Sequence, residues 1–89
     1  SMSKGQSCYV IIEGQRNAAV VGQSIGCSMA RVWTGGTDTW YATTDTGGTA
    51  TYNALNYTFT DTINFSGSYG GNNYYTGCSF NVNVSYKGS

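Results

Sequence analysis

Apolar and polar residues alternate most regularly in the second half of the chain. Over residues 57–65, Tyr57, Phe59, Ile63 and Phe65 take turns with Thr58, Thr60, Thr62 and Asn64. Over residues 78–86, Cys78, Phe80, Val82, Val84 and Tyr86 do the same with Ser79, Asn81, Asn83 and Ser85. A period of two is the signature of an extended strand whose successive side chains point to opposite faces. Each run therefore predicts a strand with one apolar and one uncharged polar face, in a sheet that packs on one side and meets water on the other.

Weaker versions of the pattern precede it. Residues 7–13 (SCYVIIE) predict a strand bounded by Gly5 and Gly14, and residues 18–21 form a short apolar run. In residues 25–33, Cys27, Met29, Arg31 and Trp33 share one face, with Ala30 and Val32 on the other. The charge on Arg31 assigns its face to solvent, so Ala30 and Val32 are the expected core pair. Gly35-Gly36 reads as a turn, residues 39–43 as a strand, Asp45-Thr46-Gly47-Gly48 as a hairpin turn and residues 49–54 as the returning strand. Residues 66–77 (SGSYGGNNYYTG) read as a long loop. About seven short strands at spacings of roughly 8–12 residues predict an all-β antiparallel sandwich or small barrel. No helical periodicity competes.

Composition narrows the function. A chain of 89 residues has room for one domain and one modest core. Eight Tyr, thirteen Gly, no Pro and 9% charged residues suit strands and tight turns. The formal net charge is zero, and Lys4, Arg16, Arg31 and Lys87 are scattered, so the electrostatic term that drives nucleic-acid binding is missing. No apolar run reaches the roughly 18–20 residues of a membrane-spanning helix. A Ser ahead of Met2 reads as the residue left by a cleaved tag, which makes residues 1–6 an expected tag remnant and flexible start. Met2 as the native first residue implies a protein without a cleavable signal, and otherwise a domain cut from a longer one.

The segment TWYATTDTGGTATYNALNYTFTDTINFSG resembles the Ig-like and prealbumin-like modules of prokaryotic surface proteins, among them invasin-type Ig-like, Cna-B and carboxypeptidase-regulatory-like domains. Thr43, Thr44, Asp45, Gly48, Ala50, Thr51 and Tyr52, followed by Tyr57-Thr58-Phe59, match the pattern of those modules. The resemblance covers about a third of the chain, and Asn56 stands where the family link has a Gly-x-Tyr. It implies a single Ig-like β-sandwich over residues 1–89 with a structural or adhesive role. Cna-B-like domains can also form an intramolecular isopeptide bond between a Lys near the start and an Asn or Asp on the last strand, beside an acidic catalyst. Lys4, Glu13 or Asp61, and Asn81 or Asn83 superficially supply those parts. Alternation opposes it, because Asn81 and Asn83 point away from the apolar face.

The remaining candidate chemistry is sparse. With no His in the chain, Ser-His-Asp and Cys-His catalysis are excluded, and no cofactor is implied. Asp38 and Asp45 lie in adjacent turns and read as turn formers rather than metal ligands. Cys8, Cys27 and Cys78 are too far apart for a C-x-x-C site, which leaves a disulfide between Cys27 and Cys78 or three reduced cysteines. By alternation Asp61 falls on the apolar face with Tyr57, Phe59, Ile63 and Phe65, where a carboxylate needs a charged partner or several hydrogen bonds. Tyr69, Tyr74 and Tyr75, with Asn72 and Asn73, give the long loop the chemistry of a binding surface, the alternative being a loop whose tyrosines fold over the end of the domain.

The expected function is a non-enzymatic structural or adhesive module of an extracellular or cell-surface protein. A virion decoration or tail protein and a small glycan-binding domain stand as alternatives. Expected partners are a protein or glycan surface, or a second copy pairing through an edge strand, with no nucleic acid and no membrane span.

Overall fold

The computed structural model describes residues 1–88. Along the chain lie β1 (Met2–Ser3), β2 (Tyr9–Ile11), a single 3-10 turn (Gln15–Asn17), β3 (Ser24–Arg31), β4 (Thr37–Thr43), β5 (Thr49–Thr51), β6 (Asp61–Tyr69) and β7 (Cys78–Lys87). The chain is all-β. The second run and the latter part of the first lie in the two longest strands, which pair antiparallel from Asp61 opposite Tyr86 to Tyr69 opposite Cys78. β3 lies along the other side of β6, and β4 along β3. β1 joins β7 in parallel at its far end, Met2 opposite Tyr86 and Ser3 opposite Lys87. The result is a five-stranded sheet in the order β1-β7-β6-β3-β4 beside a two-stranded sheet of β2 and β5.

The passage from one sheet to the other is made by Asp45. Its Oδ1 accepts the N–H groups of Gly47 and Thr49 at 2.8 and 3.0 Å, its carbonyl accepts Gly48 N–H at 2.9 Å, and its own N–H reaches Thr49 O at 3.0 Å. The expected turn is therefore present. Its two arms part at once, because β5 pairs with β2 rather than with β4.

One apolar cluster draws on both sheets. Ile25, Cys27 and Met29 of β3, Ile63 and Phe65 of β6 and Tyr86 of β7 meet Ile12, Ala50, Tyr52 and Leu55 from the second sheet and its connections. Tyr52 ties the two together. Its ring packs edge-on against Trp40 at 4.9 Å and Phe65 at 5.2 Å, and its hydroxyl donates to Ser66 O at 2.8 Å. Each such aromatic pair contributes about 0.5–1.5 kcal/mol beyond area burial.

Several expectations are corrected. The face of β3 that enters the core is that of Cys27 and Met29, not that of Ala30 and Val32; Val32 is exposed. Arg31 is accommodated on this inner face because it ends the strand. Its guanidinium leaves the core there, with Cζ 5.4 Å from the centre of the Tyr57 ring and Nη1 donating to the Tyr57 hydroxyl at 3.3 Å. Residues 57–60 are not a strand; Tyr57 stacks on Phe59 at 5.0 Å, and β6 begins only at Asp61. Residues 1–6 are not wholly a flexible start, since Met2 is 7% exposed and paired in the sheet.

The Cys27–Cys78 disulfide is also corrected, as all three cysteines are free. The register explains why. Cys27 aligns with Gly67 and Cys78 with Tyr69, with β6 lying between their strands. Two strand spacings, with Cys78 a further two residues along, set them more than roughly 9.6 Å apart, beyond the roughly 7 Å limit between bridged Cα atoms.

Candidate functional site

Register assigns every residue of the large sheet to a face. Away from the core lie Thr37, Thr39, Tyr41 and Thr43 of β4; Ser24, Gly26, Ser28 and Ala30 of β3; Thr62, Asn64, Ser66 and Ser68 of β6; and Ser79, Asn81, Asn83 and Ser85 of β7. None is charged. Across the middle of this face runs a groove of about 820 Å³ whose outward-facing lining is Gly26, Ser28, Thr39, Tyr41, Ser66, Ser68, Ser79 and Asn81.

Two residues shape it. Gly26 leaves its floor bare: a Cβ there would lie 3.7 Å from the Tyr41 ring and 3.8 Å from Ser68 Oγ. Tyr41 leans over this gap, yet 82% of it remains accessible. Further along the face, Asn64 Nδ2 donates to Asn81 Oδ1 at 2.6 Å and to Asn83 Oδ1 at 2.8 Å. That bridge fixes both amides and leaves their N–H2 groups directed to solvent. The surface thus offers hydroxyls that donate and accept, amides with free donors and the open face of one aromatic ring.

The expected binding loop is shorter and more occupied with itself. β6 continues through Tyr69, so the loop spans only residues 70–77. Tyr69 is 5% exposed and its hydroxyl donates to Gln23 Oε1 at 3.1 Å. It is a core residue, not a surface contact. Asn72 Oδ1 accepts the N–H groups of Tyr74 and Tyr75 at 2.7 and 2.9 Å, and its Nδ2 donates to Gln23 Oε1 at 3.2 Å. Tyr75 lies against Gly14, where a Cβ would come within 3.0 Å of its ring. Asn73 and Tyr74 are left exposed, and Tyr74 and Tyr75 share a small cleft with Gly14, Gln15 and Ala18. Beside it Arg16 and Asn17 both hold positive φ, 57° and 58°, which non-glycine residues seldom adopt.

Asp61 is resolved by geometry. It is 1% exposed, and its carboxylate accepts N–H of Trp33 at 2.9 Å, N–H of Thr34 at 3.2 Å, the Thr34 hydroxyl at 2.7 Å and its neighbour Thr62 N–H at 2.7 Å. Burial opposes its ionisation, but these donors outweigh burial and hold the carboxyl below its ordinary value. Asn81 and Asn83 lie on the opposite face of the sheet, so Asp61 is not placed to assist an isopeptide bond through either. Burial pushes the thiols of Cys27 and Cys8 and the phenol of Tyr52 up.

Among the described residues there is no group of three or more His, Cys, Asp or Glu that could hold a metal ion. No helix among them is long and apolar enough to cross a membrane. Comparison with protein-family models, with curated proteins and with solved structures finds no match.

Proposed function

We propose that the chain is a non-enzymatic Ig-like β-sandwich of the adhesive kind, which attaches to neutral polysaccharide through the outer face of its large sheet. One observation carries this reading: an uncharged groove lined by Ser, Thr and Asn side chains has the exposed Tyr41 ring on its wall. Sugar rings present apolar C–H faces that stack on an aromatic ring and hydroxyls that exchange hydrogen bonds with side chains of this type. A sheet holds those groups in a fixed lattice, which lowers the ordering cost of binding. The resemblance of residues 39–67 to surface-protein modules supports the same role.

The test is a neutral-saccharide panel read against wild type, Tyr41→Ala and Tyr74→Ala. Loss of at least tenfold in affinity with Tyr41→Ala, and little change with Tyr74→Ala, is the expected result. The reverse moves the site to the 70–77 loop, and no binding by wild type overturns the reading.

A further inference from the structure

The two sheets are joined along one side and open along the other. Asp45 and Thr49 hold β4 to β5, whereas no ladder links β2 to β7. Residues in and around these two strands nonetheless meet at two clefts, one at each end of β7. Cys8 and Tyr9 share a depression with Val84 at one end, and Ile12 and Glu13 share a cleft with Gly77 and Cys78 at the other. β1 covers β7 only at Tyr86 and Lys87, so residues 78–85 have no strand partner on the side away from β6.

This free edge is apolar where it should be covered. Phe80 and Val84 are partly buried against the core, and Val82 between them is 53% exposed although it shares their inward face. Exposed edges are commonly blunted by a charge, a proline or a bulge. Residues 78–85 contain no charged residue and no proline, and their ladder with β6 runs without interruption. The opposite edge, β4, does carry a charge, Asp38.

We propose that β7 pairs antiparallel with β7 of a second copy about a twofold axis at Asn81, joining two large sheets into one. The sequence of the edge is self-complementary in this register. Phe80 falls opposite the partner's Val82, and Cys78 opposite the partner's Val84, so apolar groups meet on the core side. Ser79 falls opposite the partner's Asn83, and Asn81 opposite the partner's Asn81, so the outer face stays uncharged and polar. Opposed residues in an antiparallel pair share a face, which makes the match a requirement that a register shifted by one residue fails. The partner's Phe80 and Val82 then cover the exposed Val82 and the partly buried Phe80 of the first copy. With zero net charge and an uncharged edge, two copies approach without repulsion. The proposal stands independently of what the outer face binds.

Sedimentation velocity at about 0.1 mM protein is expected to give twice the 9.5 kDa chain mass. Val82→Lys places a buried like charge on each side of the axis and is expected to weaken the dimer at least tenfold while leaving the far-UV circular dichroism unchanged. In a Cys8→Ser, Cys78→Ser background, Asn81→Cys is expected to form a disulfide-linked dimer on mild oxidation, whereas Asn83→Cys is not. The cross-link makes the test independent of how Val82→Lys folds. A monomeric wild type leaves the edge to a strand from another protein and overturns the proposal. So does a dimer indifferent to Val82→Lys, or cross-linking at position 83 rather than 81.

Discussion

The carboxylate of Asp61 accepts the backbone N–H of Trp33 at 2.9 Å across 28 residues of chain. With the bonds from Thr34 and Thr62, this contact fastens the connection after β3 to the start of β6. The Asp61 carboxyl titrates below its ordinary value of 3.8, because hydrogen bonding to the anion outweighs burial. A depressed folded value means that the unfolded chain takes up the proton first as the pH falls. The stability Asp61 contributes is therefore complete above about pH 4–5 and is lost as the pH falls through the lowered value. Denaturant titrations from about pH 7 to about pH 2 are expected to show this loss in wild type. Asp61→Asn is expected to be less stable at neutral pH, since its N–H2 faces donors, and to show a shallower acid limb.

Tyr86 is 1% exposed and its hydroxyl donates to Tyr57 O at 2.7 Å and Leu55 O at 3.3 Å. Tyr86→Phe keeps the packing and leaves Tyr57 O without its donor, while Leu55 O keeps the Gly5 N–H at 2.7 Å. A loss of about 1–2 kcal/mol is expected by chemical denaturation, with little change in the size of the protein.

The three thiols are expected to differ in reactivity. Cys78 is exposed, Cys8 is partly covered and Cys27 is buried. Burial also pushes the thiols of Cys8 and Cys27 up, which lowers their thiolate fraction, and only the thiolate attacks. Timed alkylation followed by intact mass is expected to show Cys78 modified first and Cys27 only on unfolding. Equal rates for all three would contradict the packing of Cys27.

Gly67 has no room for a side chain. A Cβ there would meet Gly26 O at 2.6 Å and the Phe80 ring at 2.6 Å. Gly67→Ala is expected to cost about 1–3 kcal/mol through overpacking, read as a lower melting temperature. Pairing with Phe80→Leu should recover part of it if the ring is the obstacle.

The all-β class was legible because Ile63, Phe65 and their neighbours on β6 and β7 alternate without interruption, and the polar row of the same strands forecast the outer face. Where the reading failed, chemistry and alternation disagreed. Arg31 belongs by alternation with Cys27 and Met29, and its charge argued for solvent; the strand end lets it satisfy both. The Gly-rich stretch around Tyr69 reads as a loop, yet Gly67 is required inside β6 so that Phe80 can cross it. The donors for Asp61 come from Trp33 and Thr34, and no local pattern links residues so far apart in the chain. Nothing in the sequence around Tyr41 singles it out, because its place on the groove wall beside Gly26 is set by the register of β4 on β3.

The parallel contact of β1 with β7 also decides how the domain meets tension. A pull through Ser1 and Gly88 acts along both strands in opposing directions, so the Met2–Tyr86 and Ser3–Lys87 contacts are sheared together instead of being peeled apart in turn. Among the described residues these two pairs are the whole of the β1–β7 ladder, which makes β1 a small mechanical latch. Its release would draw Met2 out of the core and bare the last covered part of β7, so stretching a tethered molecule lengthens the very edge on which it can grip another.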